Sequence, residues 1–190
     1  WWERAKEVQE KYPGIRFHLF SGDISDVCER LDKGLLDFGL LIEPADLSKY
    51  EYIRLPVTDV WGILMRREDP LAAKSAITRD DLKGVPLLHS RHALSRGNVL
   101  DWFGKSADLN IVATFNLLYN AALMAKAGMG VVLSIDKIYN VTGESELCFR
   151  PLAPRLESHL SLVWKKYQVF SGAAQIFLKH LQEKLQTSGV

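Results

Sequence analysis

The sequence predicts an α/β protein made of two Rossmann-like lobes that face each other across a hinged cleft. Two observations predict it. Helix-period and strand-period segments alternate with short connections from residue 1 to 42, and a second alternation of the same kind begins near residue 85. Apolar segments near 60–66 and 133–160 then supply the crossings between lobes. On this reading residues 1–65 and 150–190 make one lobe and residues 66–149 the other.

Each element has its own warrant. Trp1, Ala5, Val8 and Tyr12 lie on one helical face, which Pro13 and Gly14 end. Residues 15–20 alternate, with Ile15, Phe17 and Leu19 apolar against Arg16 and His18, and predict a strand. Asp23 is placed to cap a helix carrying Ile24, Val27, Cys28, Leu31 and Leu35. Residues 35–42 predict a buried strand, with Asp37 accepting backbone hydrogen bonds where the chain enters it. Glu43 and Pro44 mark the carboxyl end of that strand, the end at which open α/β sheets bind ligands.

Further on, strands are predicted over 57–67, 85–90, 110–115 and 129–135, and helices over 96–105 and 116–128, the latter stopped by Gly128. A short helical piece is expected at 78–83. Strands at 147–152 and 159–166 follow. A closing helix carries Phe170, Ala173, Ala174, Phe177, Leu178, Leu181 and Leu185.

Composition excludes several classes. The 190 residues are 47% hydrophobic and 25% charged with a net charge of +1, ordinary for a globular chain and without a basic stripe for nucleic acid. No apolar stretch reaches membrane-spanning length, and no signal peptide is visible. Cys28 and Cys148 stand alone, as expected of thiols in a reducing, cytoplasmic compartment. The five histidines lack neighbouring ligands, so no metal or cofactor is expected. No nucleophile elbow occurs, and the Gly128 and Gly130 pair follows a helix rather than opening one.

What remains are helix N-termini aimed at the cleft. One turn holds Ser21, Gly22, Asp23 and Ile24; the other holds Phe115, Asn116, Leu117 and Leu118. Free N–H groups and the helix dipole make such ends good seats for carboxylates, although ordinary capped turns, with Asp23 and Asn116 as caps, read equally well. His89, Ser90 and Arg91 leave a third strand at the same end, where Arg91 is either a bidentate anion clamp or a solvated loop residue.

Several stretches, taken in order, resemble the effector-binding domain of LysR-type transcriptional regulators. They are Pro13 and Gly14, Gly22 and Asp23, the run "LDKGLLD" at 31–37, "REDPLAAKSAITRDDLKGVPLL" at 67–88, "AALMAKAGMGVVLS" at 121–134, and the closing "LSLVWKK" and "AAQIFLKHL". Asp69 stands where histidine is common. The resemblance implies a type II periplasmic-binding-protein-like fold with a small effector between the lobes, and DNA contact only through an N-terminal winged helix-turn-helix domain outside these residues. It further implies that the family's first strand, with its effector-contacting loop, precedes Trp1. By position it assigns Ser21, Gly22, Asp23, Ile24, His89, Arg91, Asn116, Leu117 and Leu118 to the effector. It also implies a homodimer, or a tetramer in the full-length protein, with Trp1, Trp2, Ala121 and Ala125 at the interface. The function expected is effector sensing without catalysis, and the effector class favoured is a small carboxylate with an apolar portion. A transport-linked solute-binding protein and an enzyme on the same fold are the alternatives.

Overall fold

The computed structural model describes residues 2–94, 97–104 and 109–187. Helix α1 spans Trp2–Lys11 and α2 spans Ile24–Asp32, followed by strands β1 (Gly39–Ile42) and β2 (Tyr50–Arg66). A 3₁₀ turn (Pro70–Ala73), β3 (Ile77–Thr78) and a second 3₁₀ turn (Asp80–Leu82) lead into β4 (Pro86–Ser90). Then come α3 (Gly97–Phe103), β5 (Asn110–Phe115), α4 (Leu118–Lys126) and β6 (Val131–Ile135). Strands β7 (Leu147–Ala153) and β8 (Glu157–Lys165) and helix α5 (Gly172–Thr187) close the chain.

The sheet order among the described residues is β1-β8-β2-β6-β4-β5, with β7 also on β2 and β3 on β7. Strand β2 organises it. Its first part, to Val60, pairs antiparallel with β8; from Trp61 onward it pairs with β6 and β7. The register with β8 slips between Arg54 and Thr58, around Pro56, which has no N–H to give to a ladder. Just beyond the slip, the Asp136 carboxylate accepts the Val60 N–H at 2.8 Å, and the Asp136 N–H donates to Val60 O at 2.9 Å. Lys137 Nζ donates to Thr58 O at 2.8 Å, and Trp61 Nε1 to Ser158 Oγ at 2.7 Å. The point where β2 changes partners is therefore clipped on both sides.

Packing follows the same division. Beyond Val60, Trp61, Ile63 and Met65 pack with Leu82, Leu87, Phe103, Leu133 and Leu152 on one face, and Leu64, Leu88, Val132 and three α4 alanines pack on the other. Strands β4, β5 and β6 are parallel, and β6 is buried at every residue, the pattern of a strand covered on both faces. Before Val60, Leu55 and Leu162 pack with Val8, Phe177 and Leu181 of the terminal helices, and Leu31, Leu41, Tyr50 and Val163 fill the opposite face. Phe38 stacks on Phe170 and tilts against Phe177, tying the approach to β1 to the last helix.

Five expectations are corrected. Residues 15–20 form no strand: Ile15 and Phe17 do face the core, but the backbone joins no ladder among the described residues. The buried strand begins at Gly39, not at 35, because α2 ends at Asp32 and Gly34 turns the chain at φ 69°. Asp37 is exposed and, among the described residues, accepts no backbone hydrogen bond. Asp32 is the anchoring carboxylate there, taking the Tyr50 hydroxyl at 2.9 Å. Strand β2 starts seven residues earlier than residue 57, where alternation is broken by Arg54 and Pro56. Ala121 and Ala125, expected at a dimer interface, are fully buried inside the chain at 0% exposure; the exposed large apolar residues of α4 are Tyr119 and Leu123. Trp1 lies outside the described residues, and of Trp2 only the backbone is described.

Candidate functional site

Strands β4 and β5 run parallel with Ser90 opposite Phe115, so their carboxyl ends coincide. The next residue after β4, Arg91, donates its N–H to Phe115 O at 3.1 Å. Helix α4 begins three residues after Phe115. Its N-cap is Leu117, in extended conformation and making no side-chain cap. The expectation that Asn116 caps this helix is thereby corrected, since the helix begins one residue too late for it. Among the described residues the first N–H groups of α4 have no side-chain acceptor, and they lie at the edge where open α/β sheets bind ligands.

The first turn is built differently. The Asp23 carboxylate accepts the Ser25 and Asp26 N–H groups at 3.0 and 3.1 Å, and the Asp26 carboxylate accepts the Asp23 N–H at 3.1 Å, a reciprocal capping box. Gly22 precedes it because a Cβ there would lie 2.7 Å from Asp26 Cβ. The Arg91 guanidinium also binds Asp23, with Asp26 3.9 Å away and His92 Nε2 3.6 Å from the Asp23 carboxylate. Ser25 Oγ and His92 Nε2 are 3.2 Å apart. Burial pushes the Asp23 carboxyl up, but the Asp26 N–H, Arg91 and His92 outweigh it and hold its pKa below the ordinary carboxylate value.

The structure thus joins Asp23 to Arg91 by side chain, and Arg91 to Phe115 by backbone. Ser21 and Asn116 are exposed, and among the described residues neither side chain has a hydrogen-bond partner. Ile24 is half-buried against α2's own core, and Leu118 packs into the α4 core. His89 is buried, with Nδ1–H donating to Ser90 O at 2.6 Å, so its ring is turned along the strand end.

Sequence reasoning missed Ser25, Asp26 and His92. Asp26 had a signal, a carboxylate three residues after a cap. His92 carries no such signal, since nothing in the local pattern sets it apart from the other histidines. At the end of β1, Glu43 accepts Arg54 through two hydrogen bonds of 3.0 and 2.7 Å and Ser161 Oγ at 2.6 Å. Burial raises its carboxyl; Arg54 and Ser161 more than reverse this. Glu43 therefore holds the sheet edge through its own partners. Next to it, Pro44 abuts Gly97, where a Cβ would fall 2.3 Å from Pro44 Cγ and φ is +65°. No three His, Cys, Asp or Glu side chains gather at metal-ligating geometry among the described residues. No helix among them is long and apolar enough to cross a membrane.

Parallel strands ending together at an arginine and an uncapped helix make this an α/β protein with a candidate ligand edge, and its likeness to LysR-family effector domains places it in the type II periplasmic-binding-protein-like class. The chain belongs to the LysR substrate binding domain family, whose pattern matches residues 3–186. It is similar to YvbU of Bacillus subtilis, an uncharacterized HTH-type transcriptional regulator, at 27% identity over 179 residues, 93% of this chain and 60% of that one. It is also similar to the HTH-type transcriptional activator CmpR of Synechocystis, at 24% over 184 residues, 92% of this chain and 59% of that one. The chain thus spans about three fifths of the length of either regulator. Among solved structures, the effector binding domain of QuiR in complex with shikimate matches with a TM-score of 0.82 at 13% identity, over 97% of this chain and 90% of that one. The Synechocystis PCC6803 CcmR regulatory domain in complex with 2-PG matches with a TM-score of 0.80 at 19% identity, over 96% and 89%.

Proposed function

We propose that this chain is the effector-sensing domain of a LysR-type transcriptional regulator, binding a small carboxylate between two lobes and acting on transcription through a DNA-binding domain upstream. The observation that carries this is the uncapped N-terminus of α4 beside Arg91, at the shared carboxyl end of β4 and β5. It offers N–H donors, a guanidinium and the exposed amide of Asn116 to an anion. Leu117 and Leu118 flank it with apolar surface. The α2 turn plays a different part, because Asp23 already fills it; Ser21, Gly22 and Ile24 shape the facing wall, and His89 backs the strand end. QuiR's ligand, shikimate, is a carboxylate, which fits this chemistry. The regulators named above favour sensing over transport, and over catalysis, in a cytoplasmic protein.

The expected lobes, residues 1–65 with 150–190 and 66–149, are best divided slightly differently, at Val60 and after Ala153, because Trp61, Ile63 and Met65 pack with Leu87, Leu133 and Leu152, and Leu147–Pro151 pair with β2 only beyond Val60. The domain pairs as a homodimer, and the exposed Tyr119 and Leu123 on α4 support that helix as part of the contact.

A thermal-shift screen of small carboxylates, shikimate included, tests the reading, followed by calorimetry on the best binder. The binder is expected to raise the melting temperature as bound ligand stabilises the folded state. Asn116→Ala is expected to weaken it at least tenfold while leaving the unliganded melting temperature within about 1 °C, as for an exposed side chain. Binding untouched by Asn116→Ala and Arg91→Gln would overturn the site.

A further inference from the structure

We propose that Asp23, Asp26, Arg91 and His92 form an ionic clasp that draws the α2 turn against the end of β4 and so holds the two parts of the molecule closed with the protein's own side chains. The clasp joins elements far apart in sequence that share no strand pairing: α2 belongs with β1 and β8, Arg91 and His92 with β4 and β5. The Asp23 side chain is only 6% exposed, while Arg91 keeps 52% of its surface in water. A nearly buried carboxylate thus finds its cation across the seam, an arrangement that loses much of its free energy once one partner is removed. Three further contacts cross the same seam. Pro44 seats on Gly97, Asn98 Nδ2 donates to Glu157 O at 3.1 Å, and Trp102 Nε1 donates to Pro154 O at 2.7 Å.

The inference deepens the effector reading, since the clasp occupies the same site. An anion seated at α4 gains Arg91 only in competition with Asp23, so the strength of the clasp sets the threshold for the ligand. Its test needs no ligand, and the two readings therefore fail separately.

Spin labels are placed at Glu29→Cys on α2 and Leu100→Cys on α3, both exposed, in a Cys28→Ser background that leaves buried Cys148 in place. Their separation is measured by pulsed dipolar spectroscopy. One narrow distance population is expected in the parent. Asp23→Asn, which keeps the helix cap because asparagine caps as well as aspartate, and Arg91→Gln are each expected to add a second, longer population. Arg54→Gln breaks the Glu43 ion pair within one part and is expected to leave the distribution unchanged. An unchanged distribution in both clasp variants overturns the proposal. If either variant melts too low to label, a cycle of thermal midpoints for the two single variants and the double variant decides: additive losses overturn the clasp, and a double variant no worse than the poorer single supports it.

Discussion

At single residues, the carboxylates of this chain show how burial and partners divide apparently equal side chains into different roles. Asp23 is nearly buried and acquires two N–H groups and an arginine, so its acidity is enhanced. Asp37 was the acid that stood out in the sequence, set inside an apolar run, yet it is exposed; the anchoring falls to Asp32, five residues before it, because α2 stops there. Asp69, standing where the family often has histidine, caps the 3₁₀ turn at Pro70–Ala73 through the Leu71 N–H at 2.9 Å. Asp59 is the opposite case to Asp23. Burial raises its carboxyl above the ordinary 3.8, Asp136 adds to the rise, and Lys137 only partly offsets it. A raised acid favours the protonated form in the folded state, so the cost of ionising Asp59 is absent below the ordinary value and is fully felt above the folded one. Asp59→Asn is therefore expected to raise the thermal midpoint at pH 7 by about 1–3 °C, and the gain is expected to shrink away below pH 4. Calorimetric melts at pH 7 and pH 3.5 check it, and a loss of stability at pH 7 would contradict the assigned cost.

Elements were legible where local pattern and packing agree. Strands β4 and β5 and the bulk of α4, α5 and β8 fall where periodicity puts them, because each carries an uninterrupted apolar face. The failures have physical causes. The first seven residues of β2 contain Glu51, Arg54 and Pro56, and only their pairing with β8 makes them a strand. Residues 15–20 carry a strand's alternation without a ladder. Of the candidate site, the α2 turn could be read from the capping Asp23, and the α4 turn and Arg91 from the ends of β5 and β4. That Asp23 and Arg91 bind each other could not, since they lie 68 positions apart and nothing local couples them. The α4 turn yields a prediction at this scale. Leu117 has the extended backbone of an N-cap but no acceptor, so Leu117→Asp installs one. The new cap contributes about 1 kcal/mol, and the variant is expected to melt at or above the parent. The same carboxylate fills the free N–H groups and repels an anion, so affinity for any carboxylate found in the screen is expected to drop at least tenfold. A more stable protein that binds the carboxylate unchanged would move the ligand away from α4.

At the scale of the whole molecule, β2 joins two packed regions and leaves one edge of the sheet open. Among the described residues strand β1 pairs only with β8, and residues 15–20 join no ladder, with Ile15 and Phe17 packed into the core beside Phe38. Leu40 and Ile42 of β1 remain 37% and 36% exposed, although strand residues of that kind are usually covered. Two open backbone runs beside uncovered apolar side chains are what a sheet shows when one strand is yet to be supplied. About two fifths of each regulator this chain resembles lies outside the matched region. The family resemblance predicts that a strand supplied by the longer protein completes this ladder. Hydrogen exchange decides the point without any ligand. In the 190-residue chain the amides of 16–20 and the outward amides of Gly39–Ile42 are expected to exchange rapidly, since nothing in a ladder protects them, whereas the Ile15 amide donates to Tyr12 O. In the full-length protein both runs are expected to slow at least tenfold together, because one inserted strand bonds to both. The β6 amides, bonded on both sides already, serve as the internal standard and should not change. Slowing of one run alone would mean that the upstream strand adds at an edge rather than between the two. Equal exchange of both runs in the two proteins would mean that the open edges are the finished form of the fold.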